Sequence, residues 1–193
     1  MRIHVELRGS TPLMMHNERL SNAEDPHAIA IKELTSKGTN QTPRDKEEIS
    51  KLEWHGGLYT NGSDEIVIPS ANLIKCVRET ATITKEGKKV ARALTPLSIH
   101  APLIYPGGPK KLDALFADKT FVDRRQVKVG RGRITRTRPV FHQWALAIDF
   151  ELLDDVMSFA DVQRLWELAG LSTGLCDGRI LGYGRFTAAV KKV

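Results

Sequence analysis

The chain has 193 residues, 41% of them hydrophobic, and a formal net charge of +6. That length builds one substantial core, and the apolar fraction excludes a disordered chain. No apolar run reaches the roughly 18 residues of a membrane span, and Cys76 and Cys176 are too few for a disulfide framework, so a reducing, cytoplasmic setting without membrane contact is expected.

Residues 2–8 alternate, with Ile3, Val5 and Leu7 on one face, which predicts a half-buried strand rather than a secretory signal. Gly9-Ser10-Thr11-Pro12 ends it. Asp25 followed by Pro26 predicts a capped helix reaching about Lys37. Thr42-Pro43 starts a second helix in the same way, with Asp45 in capping-box position and Gly56-Gly57 as its stop. The acidic and basic mix at 44–53 reads as an exposed helix face. Ile66–Ile68 is a brief extended segment. Pro69-Ser70 leads into a third helix over about 71–84, burying Leu73, Val77, Thr80 and Ala81. Residues 97–104 read as one strand, closed by the loop Tyr105-Pro106-Gly107-Gly108-Pro109.

Two extended runs, about 121–129 and 133–140, then flank Gly130-Arg131-Gly132, where glycine permits the positive φ of a tight hairpin end. Both flanks carry charge on both faces, so the hairpin is expected to stand away from the domain as an arm. Between residues 124 and 138 lie seven basic residues and no acidic one: Arg124, Arg125, Lys128, Arg131, Arg133, Arg136 and Arg138. The 29 Lys and Arg less these seven leave 22 against 23 Asp and Glu, so the arm holds all of the excess charge. A cluster without counterions on one element is the footprint of a polyanion partner.

Residues 144–152 alternate most regularly, with Trp144, Leu146, Ile148, Phe150 and Leu152 on one face. Ser158 caps a helix through about Leu171, which Gly170 is expected to terminate. A final strand covers 185–191. Without insertions at 9–65 and about 105–143, the order is strand, helix, strand, strand, helix, strand. That is an α+β, ferredoxin-like βαββαβ core with a helical insertion and a protruding basic β-hairpin, all in a single domain.

Between the last helix and the last strand lies Gly174-Leu-Cys-Asp-Gly178-Arg-Ile-Leu-Gly182-Tyr-Gly184-Arg185-Phe186. Consecutive amides of a glycine-rich turn form an anion-binding concavity, and glycine lets a phosphate approach closely. Gly178, Arg179, Gly182 and Arg185 are therefore candidate phosphate contacts. Tyr183, between two glycines, is the candidate base-stacking residue. No Gly-Lys-Ser/Thr ends the segment, so it is not a Walker loop.

This block resembles the glycine-rich loop of the RAMP superfamily of CRISPR-associated proteins, and Ile68-Pro69-Ser70-Ala71-Asn72-Leu73 looks like the start of that family's first core helix. Cys76 departs from a glycine often found there. The layout most resembles the backbone subunits of CRISPR effector complexes, or a stand-alone bacteriophage-encoded member acting in the host cytoplasm. The resemblance implies a palm of this fold, a thumb-like hairpin at 121–140 gripping single-stranded RNA, and homo-oligomeric assembly along the strand.

The leading expectation is thus a non-catalytic binder of single-stranded RNA or DNA, RNA preferred. A RAMP-type endoribonuclease is the first alternative, with His16 after the first strand as general base. The loop aspartates Asp25, Asp113, Asp118 and Asp123 would serve metal-assisted cleavage, though no pairing singles one out. A protein-interaction or inhibitor module is the second alternative. The histidines at 4, 16, 27, 55, 100 and 142 and the two cysteines show no metal spacing, so neither cofactor nor metal is expected.

Overall fold

Strand β1 (Arg2–Gly9) forms as its alternation predicts, with Ile3, Val5 and Leu7 fully buried. The computed structural model describes residues 1–108, 110–130 and 132–193; Pro109 of the expected loop and Arg131 of the arm lie outside the described residues. The chain forms two compact units. A core unit comprises Met1–Leu13, Thr60–Pro109 and His142–Val193, and an insert unit comprises Met14–Tyr59 and Lys110–Phe141. The segments expected as insertions thus assemble with each other.

In the core unit, β1 pairs with β8 (Ala145–Leu152) on one side and β9 (Phe186–Lys192) on the other, both antiparallel. β4 (Leu94–Pro96) adds to the far side of β8, giving the order β4-β8-β1-β9. Helix α3 (Ser70–Thr82) follows β1, and helix α6 (Phe159–Leu168) follows β8. The class is α+β with antiparallel sheets, compatible with the ferredoxin-like arrangement. Helix α3 buries Leu73, Val77, Thr80 and Ala81 as their spacing predicts, and Cys76 with them. Helix α6 buries Val162, Leu165 and Trp166, whose ring lies 5.7 Å from that of Phe150.

The single strand expected at 97–104 is not formed. β4 ends at Pro96, although the Leu97 amide still donates to the Asp149 carbonyl of β8 at 2.9 Å, and Ile104 bridges back to Ala145 of β8. β5 (His100–Pro102) pairs instead with β3 (Val67–Pro69) in a separate two-stranded sheet. Leu97, Ile99 and Ile104 are exposed. A short helix, α4 (Gly87–Ala93), precedes β4 and has no counterpart in the sequence reading, because it buries only Val90 and Ala93.

Gly170 does not terminate the last helix. The chain continues through a π-helical turn at Ala169–Thr173, and Gly174 at φ +76° ends it. Gly170 serves close packing instead: a Cβ there would stand 2.0 Å from the carbonyl oxygen of Phe186.

The insert unit begins at β2 (Leu13–Met14), where the chain passes from one unit into the other. Helix α1 (Pro26–Thr35) is capped by Asp25, whose side chain accepts the His27 amide. Helix α2 (Pro43–Gly57) has the full capping box between Thr42 and Asp45. A hydrogen bond from the Lys37 ammonium, then those from the Thr42 amide and hydroxyl, hold the Asp45 carboxyl below its ordinary 3.8, at about 2. A depressed carboxylate stabilises the fold above its unfolded pKa and loses that contribution as pH falls through the folded one. The stability difference between the parent and Asp45→Asn is therefore expected to vanish as pH falls from about 4 to about 2, as measured by urea denaturation at each pH.

The unit's core gathers Trp54, Leu58, Leu115, Val140 and Phe141 with the buried Met14 and Met15. Trp54 donates its indole N–H to the Phe121 carbonyl at 2.8 Å. A short helix, α5 (Leu112–Ala117), contributes Leu115 and Phe116 to this core.

Candidate functional site

The arm is a hairpin, as its sequence predicts. Strands β6 (Val122–Val129) and β7 (Gly132–Phe141) pair antiparallel from Val122↔Pro139 to Val129↔Gly132, and Gly130 takes φ +58°. Its near end does not stand clear. From Thr137 onward β7 is largely buried and packs on α2. The Thr137 hydroxyl shares a 2.7 Å hydrogen bond with Ser50, and its amide donates to the Glu53 carboxylate at 2.8 Å. A Cβ on Gly57 would stand 3.0 Å from Pro139 Cδ, so glycine permits the close approach. Only residues 132–135 of β7 are fully exposed, with Arg124, Gln126 and Lys128 of β6.

The expectation of seven uncompensated charges is corrected by three ion pairs. Arg124 meets Glu47 at 3.4 Å, Arg136 pairs with Glu53, and Arg125 pairs with Asp123. Glu47 and Glu53 come from α2, far away in sequence, and Asp123 falls just outside the basic run. Arg125 and Arg136 are directly opposed in the register, a repulsive placement that their separate carboxylates relieve. Arg138 is half-buried and has interactions of its own.

Lys128 and Arg133 differ from these. They are directly opposed on one face of the hairpin, both are exposed, and neither makes an ion pair among the described residues. Like charges facing each other across an antiparallel pair destabilise it. An anion bound between them would remove that penalty.

The insert unit also holds a cleft of about 720 Å³ between its helices and β7. Leu20, Ile31, Ile49 and Ile134 give it an apolar lining, and Lys32, Lys46, Arg124 and Arg136 bring cations to it. Lys46 belongs to the 44–53 stretch that the sequence marks as an exposed helix face, and Lys32 lies on α1, where no sequence signal singles it out. Glu53 anchors one wall: it is 3% exposed and holds both Arg136 and the Thr137 amide. Replacing it with alanine strands two donors. With Arg136 38% exposed and partly screened, Glu53→Ala is expected to cost about 2–3 kcal/mol, read by chemical denaturation.

The glycine-rich block turns its hydrogen-bonding groups inward. The amides of Leu175, Leu181, Gly182 and Gly184 donate to Gly184, Gly178, Arg179 and Pro12 carbonyls. The Arg185 amide donates to the Thr11 hydroxyl, which donates in turn to the Gly182 carbonyl. The expected amide concavity for phosphate is thus largely consumed by the fold. Arg179 pairs with Glu79, and Arg185 Nη2 donates to the Arg179 carbonyl at 3.3 Å. Tyr183 is half-buried, its ring close to Gly178, where a Cβ would stand 3.0 Å from Tyr183 Cδ2. Gly178 and Gly182 are left-handed, at φ +70° and +87°, and Cys176 shares that region at +59°.

His16 lines the insert-unit cleft, and its carbonyl accepts the Tyr59 hydroxyl at 3.2 Å. The aspartates weighed for cleavage have structural partners. Asp25 caps α1 and sits by Arg19, Asp113 meets Lys51 and His55, Asp118 caps the turn at Lys119–Phe121, and Asp123 holds Arg125. Lys51 holds Asp113 below the ordinary carboxylate range, and burial pulls His55 down. Both cysteines are free thiols, pushed up by burial to about 12, so they remain protonated at neutral pH. Among the described residues no three His, Cys, Asp or Glu side chains gather as metal ligands would, and no helix is long and apolar enough to cross a membrane. No protein-family model matches the chain, and no curated protein matches it.

Proposed function

We propose that the protein binds single-stranded nucleic acid without cleaving it, RNA in preference to DNA, through the arm and the cation-lined cleft of its insert unit. The observation that carries this reading is the opposed, unneutralised pair Lys128 and Arg133. Arg124, Arg125 and Arg136 have carboxylates to hold them, and this pair has an exposed face instead. Phosphates supply the missing charge, and guanidinium and ammonium donors suit phosphate oxygens. Apolar side chains beside cations in the cleft suit a base with its attached phosphate. RNA preference and assembly of copies along the strand follow from the resemblance to RAMP backbone subunits, which is part of the same proposal.

The test is the absorbance ratio at 260 and 280 nm of the purified protein, with sequencing of whatever nucleic acid comes with it. Co-purified single strands support the reading. A nuclease-treated preparation with no affinity for any oligonucleotide at low salt refutes it, and would direct attention to an acidic protein partner. Labelled RNA incubated in the same preparation checks for cleavage, and products lost in His16→Ala would replace binding with catalysis.

A further inference from the structure

A second group of cations gathers in the core unit, where residues 75–92 carry six basic side chains against Glu79 and Glu86. Arg78 and Thr82 stand one turn apart on α3, Lys88 and Arg92 one turn apart on α4, and Lys85 lies in the connection between them. These residues line an open hollow of about 650 Å³ that contains no acidic side chain. Among the described residues none of the four cations makes an ion pair. The carboxylates carried by the same segments are committed elsewhere: Glu79 pairs with Arg179, and Glu86 with Arg164 while accepting the Thr84 hydroxyl.

The walls are fixed to each other. Gly87 lets α4 begin hard against α3, since a Cβ there would stand 3.2 Å from both the Arg78 carbonyl oxygen and Thr82 Cγ2. The turn is tied by the Lys85 amide to Thr82 O at 3.1 Å and the Glu86 amide to Ala81 O at 2.8 Å. Lys85 itself takes a left-handed φ of +62°, unfavourable for a residue with a side chain. Four like charges held around one hollow repel one another, and a bound polyanion relieves this.

The chemistry of the ligand follows from the lining. Lysine stems, Ala91 and the Thr82 methyl offer no ring to stack on, and the only neutral hydroxyl, on Thr82, already donates to the Glu79 carbonyl. An open hollow of this kind reads phosphates rather than bases. We propose that the α3–α4 hollow is a second, sequence-independent contact for the phosphodiester backbone of a single-stranded nucleic acid. It rests on the reading above for the class of ligand and on separate residues for the site.

The test is an amide-resolved NMR titration of the full-length protein with a short oligouridylate at low salt, run on the parent, on Lys88→Glu/Arg92→Glu and on Lys128→Glu/Arg133→Glu. Shifts are expected over residues 82–92 in the parent and in the arm variant, and they should disappear in the hollow variant. Loss of two phosphate contacts should lower the log–log salt slope of affinity by about 1.4 and weaken binding about tenfold. Parent amides at 82–92 that stay still, or a folded hollow variant that binds like the parent, overturn the proposal. Shifts at 82–92 with none at the arm would leave the hollow standing and sink the arm. If the hollow variant loses affinity for phosphatidylserine vesicles and keeps it for RNA, the surface belongs to a membrane and the proposal fails.

Discussion

A protein carrying Lys128→Glu and Arg133→Glu is expected to bind single-stranded RNA at least about a hundredfold more weakly than the parent at low salt. Two attractive contacts become two repulsive ones, and the log–log salt slope should drop by at least about 1.4. Folding should survive, because both side chains are exposed and, among the described residues, neither makes an ion pair. The single change Lys128→Glu separates the two effects further. It places a carboxylate directly opposite Arg133, so it should stabilise the hairpin by roughly 0.2–1 kcal/mol while weakening binding. Fluorescence anisotropy and thermal denaturation on the same samples read both. A general loss of stability would predict the opposite sign for the second measurement.

The second large effect concerns the glycine-rich block. Gly184→Ala is expected to destabilise the protein by more than about 3 kcal/mol. Its Cβ would stand 2.1 Å from the Leu175 carbonyl oxygen at a φ of +71°. Relief requires moving backbone that carries the Leu175 amide to Gly184 O and the Gly184 amide to Pro12 O. Gly182→Ala is the contrast. Its φ is +87°, yet nothing lies within 4 Å of the new Cβ. It should cost only the left-handed penalty of about 1–2 kcal/mol, and RNA affinity should stay at the parent's value. Denaturation midpoints and binding curves for the two variants together tell a structural loop from a phosphate-binding one. Lost affinity in a folded Gly182→Ala protein would restore the phosphate role.

Local signals in the sequence were reliable where the residues themselves set the structure. Alternation at Ile3, Val5 and Leu7 and from Trp144 to Leu152, the caps at Asp25, Thr42 and Ser158, and glycine at 130 all describe what the chain does. Those signals placed the α+β class and the basic hairpin. The chain's behaviour at 94–104 was not legible, because apolar alternation cannot reveal which partner a strand takes: β4 pairs with β8 and β5 with β3.

The charge balance of the arm was misread for a similar reason. Glu47 and Glu53 face Arg124 and Arg136 only through helix packing, and sequence distance hides them. Among the described residues, the part of the cluster left without an ion pair on the exposed hairpin is smaller and sharper, a directly opposed pair at Lys128 and Arg133. The reverse happened in the core unit. There the near-neutral total outside the arm concealed a local basic stretch at 75–92, four of whose cations α3, α4 and their connection bring to one hollow. Gly170 and Gly184 carried no sequence mark separating close packing from flexibility, and only the approach of Phe186 and Leu175 assigns them.

The most direct measurement is the affinity of nuclease-treated protein for single-stranded RNA as a function of salt. Tight binding at low salt is predicted, falling with a log–log slope of about 0.7 for each phosphate neutralised, so that the opposed pair alone supplies about 1.4. Absence of binding at low salt, or an affinity that salt leaves unchanged, would contradict nucleic-acid binding by this protein.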